Sequence, residues 1–105
     1  MRIRKQTEEN LIQDENRIIA AVSDGLAHPA RVAIFKYIYH ENLEMRTVCN
    51  KTLVEKFPYA QATISQHVAK LVQAGLLEVK PSGSSNHYFV NLGLVGKYLE
   101  AVRKM

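Results

Sequence analysis

The stretch from Gln61 to Leu77, QATISQHVAKLVQAGLL, decides how the rest of the chain is read. At about 100° per residue, Ile64, Val68 and Leu71 fall in one narrow apolar stripe of an α-helix. Opposite them lie Ala62, Gln66, Ala69, Lys70 and Gln73, a face of methyl, amide and ammonium groups with no acid and no bulky ring. Gly75 can take the left-handed conformation that ends helices. A helix of this kind packs on one side only. Its free face is either ordinary solvated surface or thin enough to enter a DNA groove.

The flanking segments narrow that choice. Lys51 to Phe57 reads as a short helix capped by Asn50, with Leu53, Val54 and Phe57 on one side. Pro58 disfavours helical angles at Phe57 and closes it. Two short helices joined by so tight a turn make a helix-turn-helix. Beyond Gly75, the β-prone runs LLEVK and HYFVN flank Pro81 to Asn86, which predicts a hairpin with that segment as its tip.

Farther out, Leu11, Ile12, Ile18, Ile19, Val22 and Leu26 recur at broadly helical spacing from about Thr7 to Ala27. His28-Pro29 ends that helix, and Pro29 suits the first turn of the next, which runs to about His40. The connector ENLEMRTVCN has no strong period, and part of it can form a short strand. A last helix from Leu92 to Met105 carries Leu94, Val95, Tyr98, Leu99 and Val102 on one stripe. The fold class is therefore mainly α with a small β-hairpin, a winged helix-turn-helix. Its order is helix, helix, helix, helix, hairpin wing, helix, in one domain over residues 1–105.

Composition excludes several classes of function. Apolar residues make up 47% and charged residues 23%, which suits a packed domain rather than a disordered chain. No apolar run approaches the roughly 20 residues of a membrane span, and MRIRKQTEEN lacks the apolar segment of a secretory signal. With a single cysteine, Cys49, an intramolecular disulfide framework is impossible, and a cytoplasmic setting is expected.

The formal charge is +4, and its distribution matters more than its size. Arg2, Arg4 and Lys5 form a basic tip, followed by acidic Glu8, Glu9, Asp14 and Glu15. Between Arg46 and Lys80, the bases Arg46, Lys51, Lys56, Lys70 and Lys80 face only Glu55 and Glu78. That pattern suits a folded surface meeting phosphates.

A base-reading helix needs a thin outer side and groups that match base edges. Glutamine pairs with adenine, serine and threonine bond several edges, and alanine touches a thymine methyl. Gln61, Ala62, Thr63, Ser65 and Gln66 are the base-reading candidates, and Lys51, Lys56, Lys70 and His87 the phosphate contacts. His87 is equally suited to a cross-strand role, and His67 borders the apolar stripe, where packing beside the turn is favoured over base contact. Cys49 is either a small apolar filler or a thiol whose only simple disulfide is intersubunit.

Two separated stretches resemble the ArsR-type bacterial regulators. LAHPARVAIFKYI, from Leu26 to Ile38, is similar to their L-x-D-P-T-R-L-x-I-L pattern, with Pro29 and Arg31 in register. LVEKFPYAQATISQHVAKLVQAGLLEVK is similar to their LAEALGLSQSTVSRHLKVLREAGLV run, matching at Leu53, Gln61, Thr63, Ser65, His67, Leu71, Ala74, Gly75 and Leu76. HYFVNL resembles the returning wing strand. His28 stands where the pattern has aspartate, Pro58 where it has glycine, and the wing tip has serines and Asn86 where members often carry arginine. The Cys-x-Cys and Asp/His motifs of metal-sensing members are missing.

The resemblance implies a sequence-specific, double-stranded DNA-binding transcriptional regulator, a repressor acting as a homodimer on an inverted-repeat operator. It also implies that the terminal helices form the dimer. Leu11, Ile12, Ile18, Ile19, Leu94, Val95, Tyr98, Leu99 and Val102 are the expected interface, the alternative being that both helices pack within one chain. No metal ligands, cofactor or membrane partner are expected, and no effector is named by the sequence. No nucleophile–base pair, carboxylate dyad or phosphate-cradling glycine loop suggests an enzyme. The competing function is a winged-helix module that binds protein and not DNA.

Overall fold

The chain is described by a computed structural model, which covers the backbone of residues 2–105 and the side chains from residue 8 onward. The basic tip of Arg2, Arg4 and Lys5 lies outside the described side chains. In chain order the elements are α1 (Arg2–Gly25), α2 (Pro29–Leu43), α3 (Asn50–Lys56), α4 (Gln61–Gln73), β1 (Leu77–Ser82), β2 (Ser85–Val90) and α5 (Leu92–Arg103). This is the winged helix-turn-helix order expected from the sequence. No single helix among the described residues is long and apolar enough to cross a membrane.

One hydrophobic core forms where α2, α3, α4 and the wing meet. Ile34 and Ile38 from α2, Leu53 from α3, and Ile64 and Leu71 from α4 are fully buried, together with Val22 and Val48. Each such aliphatic side chain contributes roughly 1.5–3 kcal/mol by leaving water. α1 and α2 meet at a bend of 103°. Arg31 fixes that corner by donating to the last carbonyls of α1, with Nε 2.8 Å from Gly25 O and Nη2 3.2 Å from Asp24 O. His28 caps α2 in place of the usual aspartate, its Nδ1 accepting from Ala30 N–H at 3.1 Å. The ring nitrogen accepts this bond as an N-cap side chain does.

α4 ends in a full left-handed stop. Gly75, at φ +84°, donates to Val72 O at 2.9 Å, and Leu76 N–H donates to Leu71 O at 3.0 Å. This is the Schellman pattern, and it drives Leu76 and Leu77 into the core. α2 ends in the same way without a glycine. Met45 sits at φ +62°, donating to Asn42 O, while Arg46 N–H donates to Glu41 O.

The wing departs from the sequence expectation at its tip. Pro81 pairs with Asn86 and Ser82 with Ser85, so the connection shrinks from six residues to Gly83-Ser84. Gly83 alone takes a positive φ, +61°, as the first central position of a type II′ turn requires. The outer edge of β2 is also covered. Tyr88 N–H donates to Val48 O at 2.9 Å, which makes the connector's short strand a single bridge, and Val90 N–H donates to Asn42 Oδ1 at 3.0 Å. Such bonds close an edge that would otherwise be open to pairing.

The molecule is elongated, 55 × 26 × 21 Å with a radius of gyration of 16.0 Å. A compact chain of this length has a radius near 13 Å. The excess comes from α1, which packs along α5 through its later turns, with Lys104 Nζ 3.2 Å from Glu15 Oε2.

Met45 is 91% exposed and packs on nothing that would compensate its left-handed backbone. Met45→Gly is therefore expected to stabilise the chain by about 0.5–1 kcal/mol, after allowing for glycine's larger unfolded-state entropy. A thermal melt raised by a few degrees is the expected outcome, and a lowered one contradicts it.

Candidate nucleic-acid interface

The helix-turn-helix begins at Cys49, not Asn50. Cys49 is extended and is the N-cap of α3, its N–H donating to Thr52 Oγ1 at 3.4 Å. Asn50 is the first residue of the helix, and its side chain is free for longer-range bonds. At the other end Phe57 is extended, as the following proline demands. An aromatic run braces the turn, with Tyr37 edge-on to Phe57 at 5.8 Å and Phe57 stacked on Tyr59 at 6.1 Å. Lys56 Nζ lies 5.7 Å from the Tyr37 ring centroid.

α4 starts at Gln61 behind Ala60, a cap residue with no side-chain acceptor. Its first N–H groups are left to solvent or to an anion. Ile64, Val68 and Leu71 are buried as the stripe predicted. Gln61, Ala62, Ser65, Gln66, Ala69, Lys70 and Gln73 are exposed, and Thr63 is half-buried on the flank. The structure thus brings four of the base-reading candidates together on one open face, with Thr63 at its margin.

Lys51, Lys56 and Lys70 are exposed. Neither Lys51 nor Lys70 enters an ion pair among the described residues. His87 is half-buried on β2 opposite Lys80, a cross-strand position, so it is the least accessible of the expected phosphate contacts. Lys80 itself lies over Phe89, 5.0 Å from the ring centroid.

Two shallow grooves flank α4. One, of about 370 Å³, runs between α4 and the wing and is bordered by Asn50, Ser65, Gln73, Val79, Asn86 and Tyr88. The other, of about 360 Å³, holds Arg31, Gln66, His67 and Lys70. Asn50, Tyr88 and Arg31 border these grooves and were not expected there. Asn50 read as a cap, and the others read as wing strand and family pattern. Nothing local in the sequence signals that Tyr88 and Asn50 meet across 38 positions.

Tyr88, Cys49 and His67, which lie around α4, have shifted proton affinities. Burial raises the pKa of Tyr88, with the neighbouring Cys49 thiolate adding to the shift. The half-buried Cys49 thiol is lowered, mainly by the Thr52 hydroxyl 3.4 Å away and by backbone N–H groups, against the opposing effect of burial. His67 packs beside the turn, as favoured from the sequence, with its ring 4.9 Å from His28 and 6.3 Å from Tyr59. Its pKa is lowered by burial, then by His28 and Arg31. Among the described residues no three His, Cys, Asp or Glu side chains converge to hold a metal ion.

The apolar residues of the terminal helices divide. Ile18, Leu94, Val95 and Tyr98 pack against the chain's own core, and Ile19 is half-buried. Leu11, Ile12 and Leu99 remain 57%, 56% and 60% exposed, and Val102 38%. Packing within one chain therefore accounts for the first set and leaves the second uncovered.

The lowered affinity of His67 has a definite pH consequence. Its proton binds more tightly in the unfolded chain, at the ordinary value near 6.5, than in the fold. The stability this contributes is complete above that value and is lost as pH falls below it towards the folded pKa. His67→Gln should flatten the fall in melting temperature below about pH 6.5 relative to the parent chain. Parallel profiles for the two proteins would contradict the assignment.

No protein-family profile and no curated protein matches the sequence. Solved structures do. An ArsR-like transcriptional regulator from Rhodococcus sp. RHA1 superposes with a TM-score of 0.72 at 18% identity, covering 83% of this chain and 77% of its own. Reduced HlyU from Vibrio cholerae covers 94% of this chain and 95% of its own at 16% identity, with a TM-score of 0.63. The transcriptional regulator HlyU from Vibrio vulnificus covers 100% of both chains at 18% identity, with a TM-score of 0.60. The chain shares its winged-helix fold with these solved structures.

Proposed function

We propose that this chain, folded as the ArsR-type regulators are, binds double-stranded DNA sequence-specifically as a homodimer and regulates transcription as a repressor. The observation that carries this is the face of α4: exposed Gln61, Ala62, Ser65 and Gln66 without an acidic residue, beside exposed Lys70 and Lys51, which enter no ion pair among the described residues. Small and amide side chains let the helix backbone approach base edges, and the lysines hold register on phosphates without specifying sequence. Thr63 reads from the margin, and Lys56 and His87 add backbone contacts. The structural likeness to transcriptional regulators supports the same reading.

With few cations per protomer, affinity leans on using two protomers at once. Leu11 and Ile12 on α1 and Leu99 and Val102 on α5 are exposed apolar side chains, and the strip that a two-fold partner covers is drawn from them in this reading. Ile18, Ile19, Leu94, Val95 and Tyr98, half-buried on the same two helices, complete the proposed strip. A two-fold dimer presents two α4 helices to half-sites about one helical turn apart, hence an inverted repeat. Bound over a promoter, it blocks polymerase by occupying the same surface of DNA. This work takes place in the cytoplasm and requires neither cofactor nor catalysis.

Titrating the chain against genomic duplexes at several salt concentrations tests the reading. Lys70→Ala should weaken specific and non-specific binding alike and reduce the salt slope by about one unit per protomer. Gln66→Ala should lower specific affinity by about five- to a hundredfold, the range of one base contact, and leave non-specific binding largely intact. No retention of any duplex at micromolar protein and low salt would favour the protein-binding module instead.

Oligomeric state is tested separately. Leu99→Glu is expected to convert a sedimenting dimer to a monomer and to weaken operator binding, because a charge at the strip resists burial. A parent chain that sediments as a monomer at all concentrations removes the dimer and the inverted repeat together.

A further inference from the structure

Tyr88, Asn50 and Ser65 come from β2, α3 and α4, and a directed chain of hydrogen bonds joins them. The Tyr88 hydroxyl donates to Asn50 Oδ1 at 2.8 Å, and Asn50 Nδ2 donates to Ser65 Oγ at 3.2 Å. Burial explains the first bond, because a buried phenol needs a partner. It does not explain the second. Ser65 is exposed, so water would satisfy it equally well without Asn50.

What the second bond does is assign a polarity to the serine. A hydroxyl has one hydrogen and two lone pairs, so free in water it meets donors and acceptors alike. Here Asn50 occupies a lone pair, and Ser65 donates to nothing among the described residues. Its hydrogen is left for whatever enters the groove. Tyr88 sets the direction of the chain. The buried phenol has no other hydrogen-bond partner among the described residues, so its O–H donates to the amide oxygen of Asn50, and the amide turns its NH₂ towards Ser65. The raised proton affinity of Tyr88 keeps that phenol a donor. Bonds aligned in one sense also strengthen one another.

We propose that Tyr88 and Asn50 are positioning residues that fix Ser65 as a hydrogen-bond donor, so that this point of the α4 face selects an acceptor on DNA. The inference rests on the DNA-binding function proposed above. Acceptors in reach of a major-groove helix are guanine O6 and N7, thymine O4, adenine N7 and the phosphate oxygens. An adenine or cytosine amino group can use only the second lone pair and leaves the serine hydrogen without its acceptor in the groove, so amino groups are disfavoured. Gln73 and Asn86 border the same groove of about 370 Å³, so the serine acts beside further polar groups and not on a bare surface.

Selection of bound sequences from random duplexes tests this, using the full chain and its Tyr88→Phe, Asn50→Asp and Ser65→Ala variants. If the acceptor is a base, Tyr88→Phe and Ser65→Ala relax preference at the same base pair by about three- to tenfold, the range of one hydrogen bond, with an unchanged salt slope. If it is a phosphate, both weaken every sequence by a similar factor. Asn50→Asp reverses the sign: a carboxylate only accepts, so Ser65 must donate to it and turn its lone pairs to the DNA. Preference then swings towards a base presenting an amino group or, at a phosphate, affinity falls below that of Ser65→Ala. If Ser65→Ala alters binding while Tyr88→Phe and Asn50→Asp do not, the serine acts without the chain and the proposal is overturned. Parent-like behaviour of all three variants overturns it as well. A parent chain that enriches no sequence sinks the DNA-binding function itself, and this inference with it.

Discussion

Burial of Ile64, Val68 and Leu71 is the contact on which the rest of the arrangement depends. These three side chains press α4 against α2, α3 and the start of the wing, and Ile64 and Leu71 lose all exposure in doing so. Truncating either to alanine removes about 2–5 kcal/mol, a large share of the stability of a domain this small. Because the stripe is narrow, the opposite side of the helix takes no part in packing. An open face without an acidic residue is what remains once the core has taken what it needs.

Tyr88 then ties the wing to the helix-turn-helix. Its N–H closes on Val48 O, its ring enters the core, and its hydroxyl reaches Asn50 on α3. Asn42 secures the next exposed N–H of β2, at Val90. Asn91 N–H donates to Leu76 O where the wing ends, and Asn91 Oδ1 caps α5 by accepting from Leu94 N–H at 3.1 Å. The wing is thus anchored along its outer edge and at its base. It has little cationic equipment of its own, whereas Lys51, Lys56 and Lys70 are exposed on the helices.

Much of this was legible from local pattern. The apolar period of α4, the stop at Gly75 and the prolines at 29 and 58 marked element boundaries that the structure keeps. Where local pattern misled, the reason is physical. The stretch from Pro81 to Asn86 reads as loop by composition, yet cross-strand pairing carries the ladder through Pro81 and Ser82 and confines the turn to Gly83-Ser84. Asn50 has the chemistry of a cap, but Cys49 occupies the capping position once Thr52 accepts its N–H. The terminal helices carry a related ambiguity: apolar spacing marks a stripe as buried without saying by what. Ile18, Leu94, Val95 and Tyr98 found their partners in the same chain.

Sequence by itself determined the element types, their order, the inward stripe of α4 and the acid-free character of its outer face. Those properties follow from residue type and periodicity, which act over a few neighbouring positions. Only the tertiary structure decided which polar groups meet: Tyr88 with Asn50 and Ser65, His28 beside His67, Arg31 on the end of α1. These contacts join residues from separate elements, and they exist only after the core has fixed the helices and the wing in one frame.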